Sequence, residues 1–302
     1  MYIKSKIEYI KAITPIHAGV GQDLGIADMP IQREKHSNIP KIEASTLKGS
    51  IKSYLYHKLK KTNTNDDEKA LNEMYAIFGS KDGNDSASLI GFTDAKLLLF
   101  PIKSTTKIFK LITCPYILKR WEEDLRLSGN PVDNLSIDDL KVDEGEAVAL
   151  EEEENKIILE EYIFTKAGDK TGECKKGLEN LFKKLEDIDK SRIILLSDSD
   201  FIELVTMYTE IITRNRITVE TGVAKDTGLF TEEYLPAETV LYFTVLNAAN
   251  FKADKNEDSI GYFDKNIGDV FQVGGDFTIG KGFVKRLDIS KGSGENDEPK
   301  GC

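Results

Sequence analysis

Along this chain the hydrophobic period switches between two and about four residues, and the order of the switches constrains the fold. Residues 2–13 alternate, which predicts a strand with Ile3, Ile7, Tyr9 and Ile13 on one side. Residues 14–41 are rich in Gly, Pro and Asp and read as a long loop, the kind that compact domains keep for function. In "EASTLKGSIKSYLYHKLKK", Leu47, Ile51, Leu55 and Leu59 recur every fourth residue, which predicts an amphipathic helix capped by Ser45 or Thr46. A short helix over 67–78, stopped by Gly79, and a strand in "SLIGFTDAKLLLFPI", ended by Pro101, follow. Further helices are expected at Leu178, Leu181, Leu185 and Ile188, and from Phe201 through Leu204, Val205, Tyr208 and Ile211 after Ser197 or Ser199. "ETVLYFTVLNA" alternates as a strand. Ile260, Phe263, Ile267 and Val270 then fit a helix ending at Gly274, and "GFVKRLDI" is a last strand.

The main elements thus run strand, helix, strand, a large insertion, strand, helix, strand. That is the split βαβ order of an α+β, ferredoxin-like fold, a superfold that names no function. Residues 1–290 read as one domain with insertions over about 102–235, and residues 291–302 as a disordered tail.

Charge is unevenly spread. The chain carries a formal net charge of −11. Residues 133–161 alone hold 12 acids against 2 lysines, and read as an exposed acidic insertion. Residues 1–61 hold 11 Lys or Arg against 5 acids, together with His17, His36 and His57. A basic N-terminal third is compatible with a face for a polyanion. Cys114, Cys174 and Cys302 are too scattered for a disulfide framework and read as reduced thiols. There is neither a long apolar run nor a secretory pattern, so a cytoplasmic protein without membrane contact is expected.

"GGDFTIGKG", residues 274–282, matches the spacing of a phosphate-binding Walker loop. Gly282, however, replaces the hydroxyl residue that would hold magnesium, and a strand rather than a helix follows. The remaining readings are a flexible turn, or a backbone nest in which Gly274 and Gly275 admit a polyanion and Lys281 adds charge.

Six phrases in order decide between these: "HAGVGQDLGIADMPIQRE", "ASTLKGSIK", "SASLIGFTDAKLLLFPIKS", "TCPYILKRW", "LFTEEYLP" and "VFQVGGDFTIGKGFV". Together they resemble the RAMP superfamily of CRISPR proteins, and more narrowly the backbone subunits of type III-B (Cmr) effector complexes. The resemblance spans most of residues 10–287 and leaves out the acidic segment and the tail. It implies an RNA-binding endonuclease, one that self-associates into a filament along a guide RNA beside other Cmr subunits. Each subunit would interrupt the guide–target duplex with a β-hairpin thumb and cut complementary target RNA there with a divalent metal, Mg or Mn. It places the catalytic and metal-holding carboxylate at Asp28, just before "PIQRE".

The residues can be weighed beside that resemblance. A carboxylate can hold a metal or take a 2′-hydroxyl proton. His17, on the same loop, is a possible auxiliary acid or base, with His36 and His57 as conceivable partners. Lys48 and Lys52 share a helix face near Ser45 and Thr46, at a helix start that favours anions, and are expected to meet guide phosphates. Residues 214–234, with Arg214, Arg216, Thr218 and Glu220, are the candidate thumb. Gly274, Gly275 and Lys281 are expected to approach the guide. The alternatives are a non-catalytic scaffold, which would not need Asp28, and a guide-processing RAMP endoribonuclease with a catalytic histidine.

Overall fold

The computed structural model describes residues 2–23, 25, 27–60, 65–80, 87–129, 140–150, 155–167, 175–176, 178–179, 182, 185, 187–249 and 258–287. Its strands are β1 (Tyr2–Ala12), β2 (Lys41–Ile42), β3 (Ile90–Phe92), β4 (Ala95–Lys103), β5 (Phe109–Thr113), β6 (Glu146–Ala149) and β7 (Lys156–Leu159). They continue as β8 (Tyr162–Lys166), β9 (Ile193–Leu196), β10 (Glu210–Ile217), β11 (Ala224–Tyr234), β12 (Val240–Ala248), β13 (Val270–Gln272) and β14 (Phe283–Arg286). The helices are α1 (Ala44–Leu59), α2 (Asn65–Phe78), α3 (Pro115–Leu127), α4 (Asp198–Met207) and α5 (Ser259–Asn266). The architecture is mixed α and β, dominated by one large sheet. That sheet runs β13-β14-β1-β12-β4-β5-β9-β6-β8-β7, with β2 on β4 and β3 on β12; β10 and β11 form a separate hairpin.

β1 lies between β14 and β12, antiparallel to both. A central strand is covered on both faces, so Ile10 and Ala12 are as buried as Ile7 and Tyr9. Ile3 and Ile13, expected on the buried side, lie near the strand ends and are about half exposed. Glu8 is buried in the same strand because Arg286 donates two hydrogen bonds to its Oε2, at 3.1 and 2.9 Å. The Tyr9 hydroxyl accepts from Trp121 Nε1 of α3 at 2.9 Å, and Trp121 stacks on Phe182.

In α1 the four-residue period buries Leu47, Ile51 and Leu55 completely, each contributing about 1.5–3 kcal/mol. The helix starts earlier than expected. Glu43 is its N-cap residue, with no side-chain cap, and Ser45 and Thr46 lie inside the first turn. The amide of Ala44, in the first turn, is satisfied by Asp94 Oδ1 at 2.9 Å, which places an acid at the positive end of the helix dipole. Asp94 also pairs with Lys41 at 2.7 Å.

Four expectations change. The strand expected to end at Pro101 is two strands, β3 and β4, and β4 continues through the proline. At that point β4 changes partner: Leu99 is the last residue on β12 and Phe100 the first on β5. The switch leaves one side of the strand without a ladder, where a residue lacking an N–H is accommodated. The helix expected to reach Gly274 stops at Asn266, and Val270–Gln272 becomes β13, paired with β14. Ile211 belongs to β10 rather than to the helix before it, which Ser197 caps by accepting from the Asp200 amide. The acidic stretch is not simply an exposed insertion. "AVAL" and "IIL" between its acids form β6 and β7, with Ala147, Val148, Ile157 and Leu159 buried.

Other expectations fall partly beyond what is described. Residues 133–139 and 151–154 of the acidic stretch, the tail 291–302, Leu181, Cys174 and Cys302 lie outside the described residues. Leu178, Leu185 and Ile188 are buried, as is Phe182. Cys114 is buried, and desolvation pushes its thiol well above its ordinary value, as suits a structural thiol. Among the described residues no helix is long and apolar enough to cross a membrane.

Candidate active site and nucleic-acid interface

The loop over 14–41 is held along β11 like an added strand. Met29 N donates to Thr231 O at 3.0 Å, and Glu233 N donates to Met29 O at 3.0 Å. Ile16 and Leu235 exchange both backbone hydrogen bonds at 2.9 Å. The anchor is Glu233, 6% exposed. Its Oε1 pairs with Arg33 and accepts from Thr209 Oγ1 at 2.7 Å, while its Oε2 accepts from Ile31 N at 3.0 Å. A buried acid with this many donors is fully compensated.

This scaffold presents Asp28. Its Oδ2 accepts from Thr231 N at 2.7 Å and from Thr231 Oγ1 at 2.8 Å, and its own amide donates to Thr231 Oγ1 at 2.9 Å. The Thr231 amide, and then its hydroxyl, hold the carboxyl below the ordinary aspartate range. Asp28 lines a cavity of about 500 Å³ with Gln22, Asp23, Met29, Arg216, Leu229 and Phe230. Arg216 is exposed and its guanidinium lies 5.4 Å from the centre of the Phe230 ring. The cavity thus combines two acids, a cation and an apolar wall.

His17 also attaches to β11, two residues further on. Its Nδ1 donates to Glu233 O at 2.8 Å, since a carbonyl oxygen can only accept. Its ring lies 5.4 Å from that of Tyr234. The Tyr234 hydroxyl lies between Glu232 Oε2, at 2.6 Å, and Asp276 Oδ2, at 2.9 Å. Arg214 closes this network: it pairs with Glu232, and with Asp276 at 3.0 Å. Lys281 stands 4.8 Å from the centre of the Tyr234 ring. Arg214, Lys281 and His17 therefore come together at the hairpin base, and Arg216 joins Asp28 above them. His36 bonds Tyr116 and His57 packs edge-on to Tyr56, so neither partners His17.

The lysines of α1 form a different place. Lys48 Nζ donates to Ile90 O at 3.2 Å, and Lys52 Nζ donates to Gly79 O and Ser80 O at 3.0 and 3.2 Å. Burial, then the neighbouring Lys52, lower the pKa of Lys48. Thr46 Oγ1 accepts from Gln32 at 2.9 Å, and Ser45 is exposed.

The glycine loop meets protein. Gly274 has φ +83°, and a Cβ there would lie 2.3 Å from His17 O. Gly275 N donates to the same carbonyl at 2.9 Å, and Gly282 N to Pro15 O at 2.9 Å. The close approach that these glycines permit is to the chain's own His17 backbone. No helix N-terminus is available for a phosphate, because only a 3₁₀ turn, Phe277–Ile279, follows before β14.

Thr231, Glu233, Tyr234 and Asp276 were not singled out from the sequence. The available signal was "TEEY": adjacent acids in an alternating strand, one of which must face inward.

The profile of the RAMP superfamily matches residues 9–285. The Cmr endoribonuclease Cmr4 of Pyrococcus furiosus is 35% identical over 289 residues, covering 94% of this chain and 95% of that protein. The chain belongs to the RAMP superfamily, and within it to the Cmr4 family. The solved oligomeric Cmr4 of Pyrococcus furiosus superposes with a TM-score of 0.69 at 30% identity, over 96% of this chain and 99% of the other. A chain of the type III-B Cmr-beta complex bound to cognate target RNA superposes with a TM-score of 0.74 at 25% identity, over 95% and 97%. Both superpose over nearly their whole length.

Proposed function

We propose that this chain is the guide-RNA-binding backbone subunit of a type III-B CRISPR effector. It self-associates along the guide beside other Cmr subunits and cuts complementary target RNA at regular intervals. The antiparallel order β14-β1-β12-β4, with α1 and α2 between β1 and β4 and α5 between β12 and β14, is read as the ferredoxin-like core. The β10–β11 hairpin is read as the thumb. The observation that carries the nuclease reading is Asp28: an exposed carboxylate, kept ionised by the Thr231 amide and hydroxyl, that lines a cavity beside a cation.

In this reading the target's 2′-hydroxyl gives its proton to solvent water and its oxygen attacks the adjacent phosphorus, while the bond to the 5′-oxygen breaks and that oxygen takes a proton from water, leaving a cyclic phosphate and a 5′-hydroxyl. In-line alignment supplies much of the rate. A carboxylate held below its ordinary pKa is a weak base, so Asp28 is better suited to binding a cation than to taking the hydroxyl proton. Among the described residues no three His, Cys, Asp or Glu side chains converge as a metal cage. The donors instead suit magnesium, which takes one or two carboxylates with substrate phosphate oxygens. Asp28 and Asp23 would hold it, and once bound it would neutralise charge developing on the phosphate. Arg216 adds charge stabilisation from the thumb side.

The test is a cleavage assay on end-labelled, guide-complementary RNA with the assembled complex in magnesium or manganese. A regular ladder that disappears in Asp28→Asn, with target binding kept, is expected. An unchanged ladder would leave this chain as a scaffold.

A further inference from the structure

We infer that Thr231 is the positioning residue for Asp28, so that the hairpin rather than the loop decides how the carboxylate is turned towards the RNA. This rests on the catalytic reading of Asp28. Three hydrogen bonds tie the two residues: Thr231 N and Oγ1 to Oδ2, at 2.7 and 2.8 Å, and Asp28 N to Thr231 Oγ1, at 2.9 Å. The hydroxyl works in both directions, its one proton going to the carboxylate and a lone pair accepting from the amide. Turning the carboxyl about its Cβ–Cγ bond would break both bonds to Oδ2. A β-branched residue is stiff at χ1, so the hydroxyl is itself aimed by the strand.

The Asp28 side chain is exposed, while its backbone is fixed by Asp23 N donating to Asp28 O at 3.0 Å and by the Met29 bonds to β11. Thr231 sits on β11 next to Phe230 and Leu229, which wall the same cavity, and Arg216 reaches that cavity from β10. Carboxylate, cation and apolar wall therefore ride on one hairpin. RNA that seats against the hairpin meets the carboxylate already oriented, which is preorganisation.

The experiment compares Thr231→Val, which keeps shape and amide but loses the hydroxyl, with Thr231→Ser, which keeps the hydroxyl. Single-turnover cleavage and target affinity are measured in the assembled complex, and the Asp28 carboxyl is titrated by ¹³C NMR in the RNA-free full chain. Valine should slow cleavage about 10- to 100-fold with target affinity unchanged, the scale of a small misalignment of reacting groups. Serine should restore most of the rate. The Asp28 titration should move up towards the ordinary aspartate range with valine and not with serine. Equal rates and equal titrations in wild type and valine would overturn the inference, as would serine and valine slowing cleavage alike. If Asp28→Asn still cuts, the catalytic reading fails separately. A moved titration without a moved rate would overturn the positioning role in cleavage.

Discussion

Gly274 and His17 are packed backbone to backbone: at φ +83° the glycine leaves space for the His17 carbonyl, which a Cβ would meet at 2.3 Å. The glycine turn thus clamps the start of the loop that carries Asp28. Gly274→Ala should lose about 1–3 kcal/mol through the left-handed conformation alone, and more through the clash. A fall in Tm accompanied by loss of cleavage is expected, whereas Gly280→Ala, strained in φ but with open space at its Cβ, should lose less.

The two arginines of the hairpin should behave differently. Removing Arg214 leaves Glu232 and Asp276, whose side chains are 6% and 19% exposed, without their cation. Arg214→Met should cost about 3 kcal/mol, the low end for a broken buried pair because Arg214 is itself partly exposed. Arg216→Ala should leave unfolding unchanged while slowing cleavage. Denaturant unfolding of both variants, paired with cleavage rates, checks this.

The pH dependence follows from Asp28. Its folded pKa is depressed, so its ionised form persists as pH falls below the ordinary aspartate value and is lost only on passing through the lower, folded one. Single-turnover rates should therefore show no acid limb from this carboxylate between roughly pH 5 and 7, given an ordinary aspartate near 3.9. A limb in that window that vanished in Asp28→Asn would contradict the assignment.

Charge reversal at Lys48 or Lys52 should weaken guide binding and flatten its salt dependence by about one unit of slope for each phosphate no longer neutralised. Because burial and Lys52 lower the pKa of Lys48, guide affinity should also begin to fall at a lower alkaline pH than ordinary lysines require. Lys48→Arg should remove that early fall. Fluorescence anisotropy across salt and pH measures both effects.

The hairpin tip is exposed, with Val219 92% and Val223 62% exposed. Replacing residues 218–223 by Asn-Gly should change stability by no more than about 0.5 kcal/mol, as for surface changes, yet abolish the regular cleavage spacing. Product ladders from the variant complex decide it.

Local pattern was legible in the sequence. Period two in β1 and β12, the four-residue stripe of Leu47, Ile51 and Leu55, and the Ser197 cap are short-range features, written where they act. The turn residues marked the loop over 14–41, and its phrase offered Asp28 as a candidate. Other features depended on pairing between distant segments. Pro101 sits inside β4 because β4 changes neighbours there, and Val270 joins a strand because β14 returns beside it. Asp28 acquires its two donors only because Thr231, 203 residues later, lies alongside it. Arg214 is drawn from the solvent-facing side by Asp276 in the same way. A chain states its periods and turns residue by residue, but hydrogen bonds and charges between segments far apart exist only once the sheet has brought them together.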